Sequence, residues 1–227
     1  MGARKSMKKP IIFCDFDGTI TESDNIIALM KQFAPPEWEE IKDQILNQTI
    51  TIQEGVGKLF SYIPSSKKQD MLEFLRENAH YRDGFASLLT YANENDIPFY
   101  IVSGGVDFFV YPMLAEFDVP LEQIYCNKAD FSGEKILIKW PHSCDTHCNN
   151  GCGCCKPSII RSFDETLHEC IVIGDSITDL EAAKLADLVF ARDYLKEKCE
   201  ELNITYQPFE NFHQITNYLE GRKSVCR

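Results

Sequence analysis

Apolar positions along this 227-residue chain fall into two alternating patterns. Short unbroken runs, Ile11-Ile12-Phe13-Cys14, Ile97-Pro98-Phe99-Tyr100-Ile101-Val102 and Cys170-Ile171-Val172-Ile173, lack a helical period and suit strands covered on both faces. Between them, apolar residues recur at helical spacing. Ile26, Ile27, Met30 and Phe33 predict one helix, ended by Pro35-Pro36, and Trp38, Ile41 and Ile45 a second. Thr51-Ile-Gln-Glu54 reads as a capping box for a third helix carrying Val56, Leu59 and Phe60. Ser66-Lys-Lys-Gln69 reads as another, for a fourth carrying Met71, Leu72 and Leu75. Four helices between two strands predict an inserted helical unit over residues 23–82, with 1–22 and 83–227 forming the body.

In the body, strand and helix alternate. A helix over Phe85 to Asn95 leads to the strand Ile97 to Val102, which ends in the loop Ser103-Gly104-Gly105. A helix near Asp107 to Glu116, a short strand near Ile124 to Asn127 and a hairpin around Gly133 follow. Beyond a Cys/His-rich loop come a helix after Lys156-Pro157, the strand Cys170 to Ile173, a helix with Leu180, Ala183 and Ala186, the short strand Leu188 to Phe190 and terminal helices. This order predicts an α/β fold with a doubly wound parallel sheet, whose functional loops gather at the carboxyl ends of the strands.

Composition narrows the function. Net charge is −12, from 35 acids against 23 bases, which argues against a nucleic acid partner. No apolar run approaches a membrane span, so no membrane association is expected. Ten cysteines point to a reducing compartment, and Met1 to Pro10, basic but without a small-residue cleavage site, does not read as a signal peptide; a cytoplasmic location is expected. A homodimer remains open.

Three apolar strands end in polar groups that can converge on one edge of such a sheet: Asp15-Phe-Asp17-Gly18-Thr19, Ser103-Gly104, and Gly174-Asp175-Ser-Ile-Thr-Asp179. Two acids at i and i+2 at the tip of a buried strand need a cation beside them to stay ionised, and a divalent metal is the obvious candidate. Seven potential ligands, His142, Cys144, His147, Cys148, Cys152, Cys154 and Cys155, crowd together just before Lys156. Their residue types suit zinc but their spacing is no standard knuckle pair, so a structural metal, a disulfide and reduced thiols stay open for loop 142–155. Whichever holds, disordering this loop should weaken any chemistry at Lys156, and replacing Cys152 and Cys154 by Ser should lower turnover.

The series Asp15/Asp17, Ser103, Lys156 and Asp175/Asp179, in this order over nearly the whole chain, resembles the haloacid dehalogenase (HAD) superfamily and, through the acid at Asp17, its phosphatases. The resemblance implies a HAD-like core and a helical cap in the position of the 23–82 insert. It also implies hydrolysis of a small phosphate ester through an aspartyl-phosphate intermediate. Asp15 would be the nucleophile and Asp17 the general acid and base. Ser103, the Gly104 amide and Lys156 would hold the transferring phosphate. Mg2+ would sit on the Asp15 carboxylate, the Asp17 carbonyl and Asp175, with Asp179 holding metal waters or Lys156 from behind. The layout is similar to that of phosphoserine phosphatases, but Phe60 stands near the place where that group reads an amino-acid carboxylate with Arg. Other small-metabolite phosphatases and a catalytically silent HAD-like binding module are the competing readings.

Overall fold

A computed structural model describes residues 8–225; of the N-terminal segment discussed above, residues 1–7 lie outside the described residues. At its centre is β1 (Lys9–Cys14), whose last four residues are buried. It runs parallel to β2 (Phe99–Val106) on one side and to β5 (His168–Gly174) on the other. The sheet is completed by β3 (Ile124–Asp130), β4 (Leu137–Lys139), β6 (Leu188–Ala191) and β7 (Gln207–Pro208), in the order β4-β3-β2-β1-β5-β6-β7. Every pairing is parallel except β3 with β4, which form the hairpin around Gly133. Because the chain lays β2, β3 and β4 outward on one side of β1 and then crosses back to lay β5, β6 and β7 on the other, the carboxyl end of β1 is at the switch point where such sheets open a crevice.

Register decides which groups meet there. Cys14 lies opposite both Ile101 and Ile173, and the Asp15 amide donates to the Ile173 carbonyl at 2.9 Å. Asp15 is thereby level with the end of β5, although some 160 residues separate them in sequence.

The insert consists of α1 (Asn25–Phe33), α2 (Trp38–Leu46), α3 (Ile52–Ser61) and α4 (Lys68–Asn78). Its apolar stripes are buried: Leu29 and Met30 of α1, Trp38 and Ile41 of α2, Leu59 and Phe60 of α3, Met71 and Leu75 of α4. The Thr51 capping box forms in full, with the Glu54 amide donating to Thr51 Oγ1 at 3.1 Å and the Thr51 amide to Glu54 Oε2 at 2.9 Å. The second expected box does not form. A 3-10 turn over Ser65–Lys67 precedes α4, and Lys67 takes the cap position without a side-chain bond. The turn follows from Pro64, whose segment bridges to Lys135 and so fixes where the chain can begin to coil. The two connections of the insert pair with each other: Thr21 bridges Tyr81, and the Arg82 amide donates to the Ile20 carbonyl at 2.8 Å.

On the body, α5 (Phe85–Glu94), α6 (Asp107–Leu114) and α10 (Phe212–Val225) cover one face with the insert. The other face is covered by α7 (Lys156–Arg161) and α8 (Leu180–Ala183), and α9 (Asp193–Glu201) packs by Leu195 and Cys199 on the β6 edge. Three details differ from the expectation. Ser103-Gly104-Gly105 is not a loop after the strand but the last part of β2, where the register with β3 shifts between Val102 and Val106. The helix expected through Ala186 stops at Ala183, and Asp179 closes a 3-10 turn before it begins. The two-residue β7 was not anticipated. Among the described residues no helix is long and apolar enough to cross a membrane.

Candidate active site

Asp15 ends the apolar core of β1 and is 5% exposed. Its Oδ1 accepts from the Phe16 amide at 2.8 Å and from Lys156 Nζ at 2.7 Å. Lys156, the first residue of α7, is buried and spans to Asp179 Oδ1 at 2.5 Å. Burial alone would depress the lysine, but the charges of Asp15 and Asp179 outweigh it and hold Lys156 above its ordinary value, fully protonated. Asp15 is pushed well above the usual carboxylate range, chiefly by burial and then by the Asp179 charge, against the pull of Lys156.

Asp179 is fixed from behind, since its Oδ2 accepts from the Asp175 amide at 3.2 Å and the Ser176 amide at 3.1 Å. Asp175 accepts from the Thr19 hydroxyl at 2.6 Å. Burial, followed by the Asp179 charge, pushes its carboxyl up to about 7. Carboxylate oxygens of Asp15, Asp175 and Asp179 all lie within 4.8 Å of one another. One lysine cannot balance three such acids, and an all-oxygen cluster of this kind is chemistry suited to a hard divalent cation such as Mg2+. The left-handed Gly18 permits this closeness, because a Cβ there would stand 2.5 Å from Asp175 Oδ2.

Asp17 stands outside that cluster. Its carboxylate accepts from Asn25 Nδ2 at 2.8 Å and from the Ser103 hydroxyl at 3.1 Å. Burial, then the nearby Asp24 charge, pushes it up to about 7 despite both hydrogen bonds. At neutral pH such a group can both give and take a proton, as a general acid and base must. Ser103 in turn accepts from the Gly105 amide at 2.8 Å, and the Gly104 carbonyl accepts from Asn127 Nδ2 at 2.8 Å. All seven residues singled out from the sequence, Asp15, Asp17, Ser103, Gly104, Lys156, Asp175 and Asp179, thus come to the carboxyl edge of β1, β2 and β5. In the structure the Ser103 hydroxyl points to Asp17.

Three supporting residues have no place in the sequence reading of the site, Asn25, Asn127 and Arg82, while Thr19 stands in the converging stretch without its bond to Asp175 being expected. Arg82 is the most consequential, a buried cation whose Nε and Nη2 donate to the carbonyls of Thr19 and Gly18, each at 2.8 Å, with Thr21 at 3.4 Å. It clamps the loop that follows Asp17. Arg82→Met should therefore lower stability by about 3 kcal/mol in urea unfolding, as buried carbonyls lose charged donors. Turnover should fall with it, and an unchanged midpoint would mean the loop holds itself.

In the cysteine-rich loop, Cys144, Cys148, Cys152 and Cys155 come together. The other three candidates go elsewhere. Cys154 is buried against Ile11, Phe13 and Val102, the His142 ring meets the Tyr125 ring edge-on at 5.0 Å, and His147 is not among the converging group.

Comparison with known proteins bears on this geometry. The model of the haloacid dehalogenase-like hydrolase family matches residues 12–184, from β1 through α8. A Geobacillus kaustophilus protein named 2-hydroxy-3-keto-5-methylthiopentenyl-1-phosphate phosphatase is 56% identical over 96% of this chain and 99% of its own length. A Brevibacillus brevis protein of the same name is 54% identical over 94% of this chain and 96% of its own. Among solved structures, a phospho-aspartyl intermediate analogue of phosphoserine phosphatase superposes with a TM-score of 0.67 at 18% identity, covering 93% of this chain and 99% of that one. At that identity the likeness concerns the fold.

Proposed function

The chain belongs to the haloacid dehalogenase-like hydrolases, and from that premise we propose that it is the phosphatase of methionine salvage, removing phosphate from 2-hydroxy-3-keto-5-methylthiopentenyl-1-phosphate. The observation that carries this reading is the meeting of Asp15, two residues before Asp17, with Lys156, Asp175 and Asp179, in a chain 56% identical to a protein of that name over nearly its full length.

The residues act as follows. With Oδ1 of Asp15 tethered by Phe16 and Lys156, Oδ2 attacks phosphorus, and the bond from phosphorus to the substrate oxygen breaks. Asp17 protonates that oxygen as it leaves. In the second step Asp17 takes a proton from water, whose oxygen attacks phosphorus and frees Asp15 and inorganic phosphate. Lys156, the Ser103 hydroxyl and the Gly104 amide neutralise and orient the phosphoryl oxygens. The Ser103 hydroxyl reaches phosphate by turning from Asp17, which simultaneously frees the acid to face the leaving group. Asp15, Asp175 and the Asp17 carbonyl would hold Mg2+, which would supply charge neutralisation for the phosphoryl group. Asp179, already committed to Lys156 and two backbone amides, positions these groups rather than touching substrate.

The 23–82 insert acts as a cap. Its Phe60 packs edge-on against Phe108 of α6 with rings 6.2 Å apart, both buried, so this contact seats the insert on the body. The test is phosphate release with Mg2+ from the methylthio enol phosphate, phosphoserine and an aryl phosphate. A preference of about 10²-fold or more in kcat/KM for the first, about 2.7 kcal/mol at the transition state, is expected. Equal, slow hydrolysis of all three would leave a phosphatase of another small ester.

Metal binding should depend on pH in a defined direction. Because Asp175 is pushed up to about 7, protons compete with Mg2+ below that value, and apparent affinity should fall by about fivefold from pH 7 to pH 6. Thermal shifts on adding Mg2+ should shrink accordingly. Equal shifts at pH 6 and pH 8 would remove Asp175 from the metal site.

A further inference from the structure

Residues 140–155 connect β4 to α7 without any regular element, a length of irregular chain that compact domains seldom hold in place without a staple. Within it the Sγ atoms of Cys144, Cys148, Cys152 and Cys155 all lie within 4.8 Å of one another, and those of Cys148 and Cys152 are 3.8 Å apart. A tetrahedron of thiolates about 2.3 Å from a zinc ion has edges of about 3.8 Å, whereas a disulfide needs about 2.0 Å. A disulfide would also draw sulfurs into pairs, while here all four converge. We propose that these four cysteines form a structural zinc site.

The surroundings fit thiolate ligands. The Cys152 amide donates to Cys144 Sγ at 3.5 Å and the Ser158 hydroxyl to Cys155 Sγ at 2.9 Å, the outer hydrogen bonds that orient metal-bound sulfur. The left-handed Gly151 and Gly153 turn the chain between the ligands. The Arg161 guanidinium grips the Asp145 carboxylate through Nε at 2.8 Å and Nη2 at 2.7 Å, tying the loop to α7. Four protein sulfurs leave no open coordination position, so the ion is architectural and takes no substrate.

Its placement gives it a consequence for the site already described. Cys155 immediately precedes Lys156, and on the loop's other side the Gly151 carbonyl accepts from the Gln53 amide of α3 at 2.9 Å. The zinc therefore fixes one segment that both sets the phosphate lysine and docks the insert. The assignment stands whatever ester the enzyme hydrolyses.

Elemental analysis of intact protein, purified under reducing conditions without chelator, tests it. About one zinc per chain is expected. Cys144→Ser/Cys152→Ser should retain less than about a tenth of that, while Cys154→Ser and Asp175→Asn keep the ion, separating this site from the carboxylate cluster. Should the double variant fail to fold, titration of the unaltered protein with a mercurial serves instead, with zinc released in step with four thiols. Three outcomes overturn the proposal: no zinc even after reconstitution, zinc unaffected by the double substitution, or disulfides among these cysteines in reduced protein. Iron at the same stoichiometry would overturn the choice of ion.

Discussion

Asp15→Asn is expected to lower kcat by at least about 10³-fold for every substrate the enzyme accepts, the scale of loss when a covalent nucleophile is removed. An amide cannot form the acyl phosphate, and the loss should come without unfolding. Asn keeps the volume, the Phe16 amide still has an oxygen to bond, and one of three crowded acids disappears. Rapid quenching of the unaltered enzyme should trap a hydroxylamine-sensitive phosphoryl group that the variant never accumulates. Turnover within about tenfold of the original would mean that water attacks the ester directly and Asp15 only assists.

Lys156→Met should damage both folding and chemistry, and the two effects can be separated. Lys156, Asp15 and Asp179 have side chains only 6%, 5% and 1% exposed. Removing the lysine leaves two buried carboxylates without their cation, a change expected to cost about 3–5 kcal/mol. Asp15, already pushed up by burial and the Asp179 charge, loses the opposing pull of Lys156 and holds a proton more firmly still, so its folded pKa rises further above the unfolded one. The folded state then binds more protons than the unfolded chain, and stability falls as pH increases through that window. The deficit should therefore be larger at pH 8 than at pH 5. Adding Asp179→Asn to Lys156→Met should restore much of the stability and none of the turnover. A double variant that regained activity would show that Lys156 holds Asp179 and nothing else.

Much of this site was legible because β1 and β5 announce themselves. An apolar run with no helical period that stops abruptly at an acid is hard to explain as anything but a buried strand ending at a functional edge, and Asp15, Asp17 and Asp175 stand at such stops. Ser103 was read correctly as polar and wrongly as loop, because two glycines after a strand usually mark its end. Here the shifted register of β2 against β3 carries the strand four residues further, to Val106. The Ser66 capping box failed for a different reason. Local side-chain chemistry favoured it, but the bridge from Pro64 to Lys135 had already set the chain's path. Arg82 left no local signal beyond an unremarkable segment after the fourth helix. Its role exists only because the insert's two connections pair, bringing Arg82 under carbonyls more than sixty positions earlier. Asn25 and Asn127 were hidden in the same way. A lone amide has no pattern, and its meaning lies in which distant carboxylate or carbonyl it meets.

The insert is anchored at more than its two connections. The Ser65 amide bonds to the Glu134 carbonyl at 2.9 Å, Pro64 pairs with Lys135, and Gln53 bonds to Gly151. With these bonds in place the insert is held at three points besides Thr21 and Tyr81, so any movement of it away from the body requires backbone bonds to break first. Turnover should then be governed by departure of products, with a rapid first cycle, a slower steady state and a rate that falls as solvent viscosity is raised.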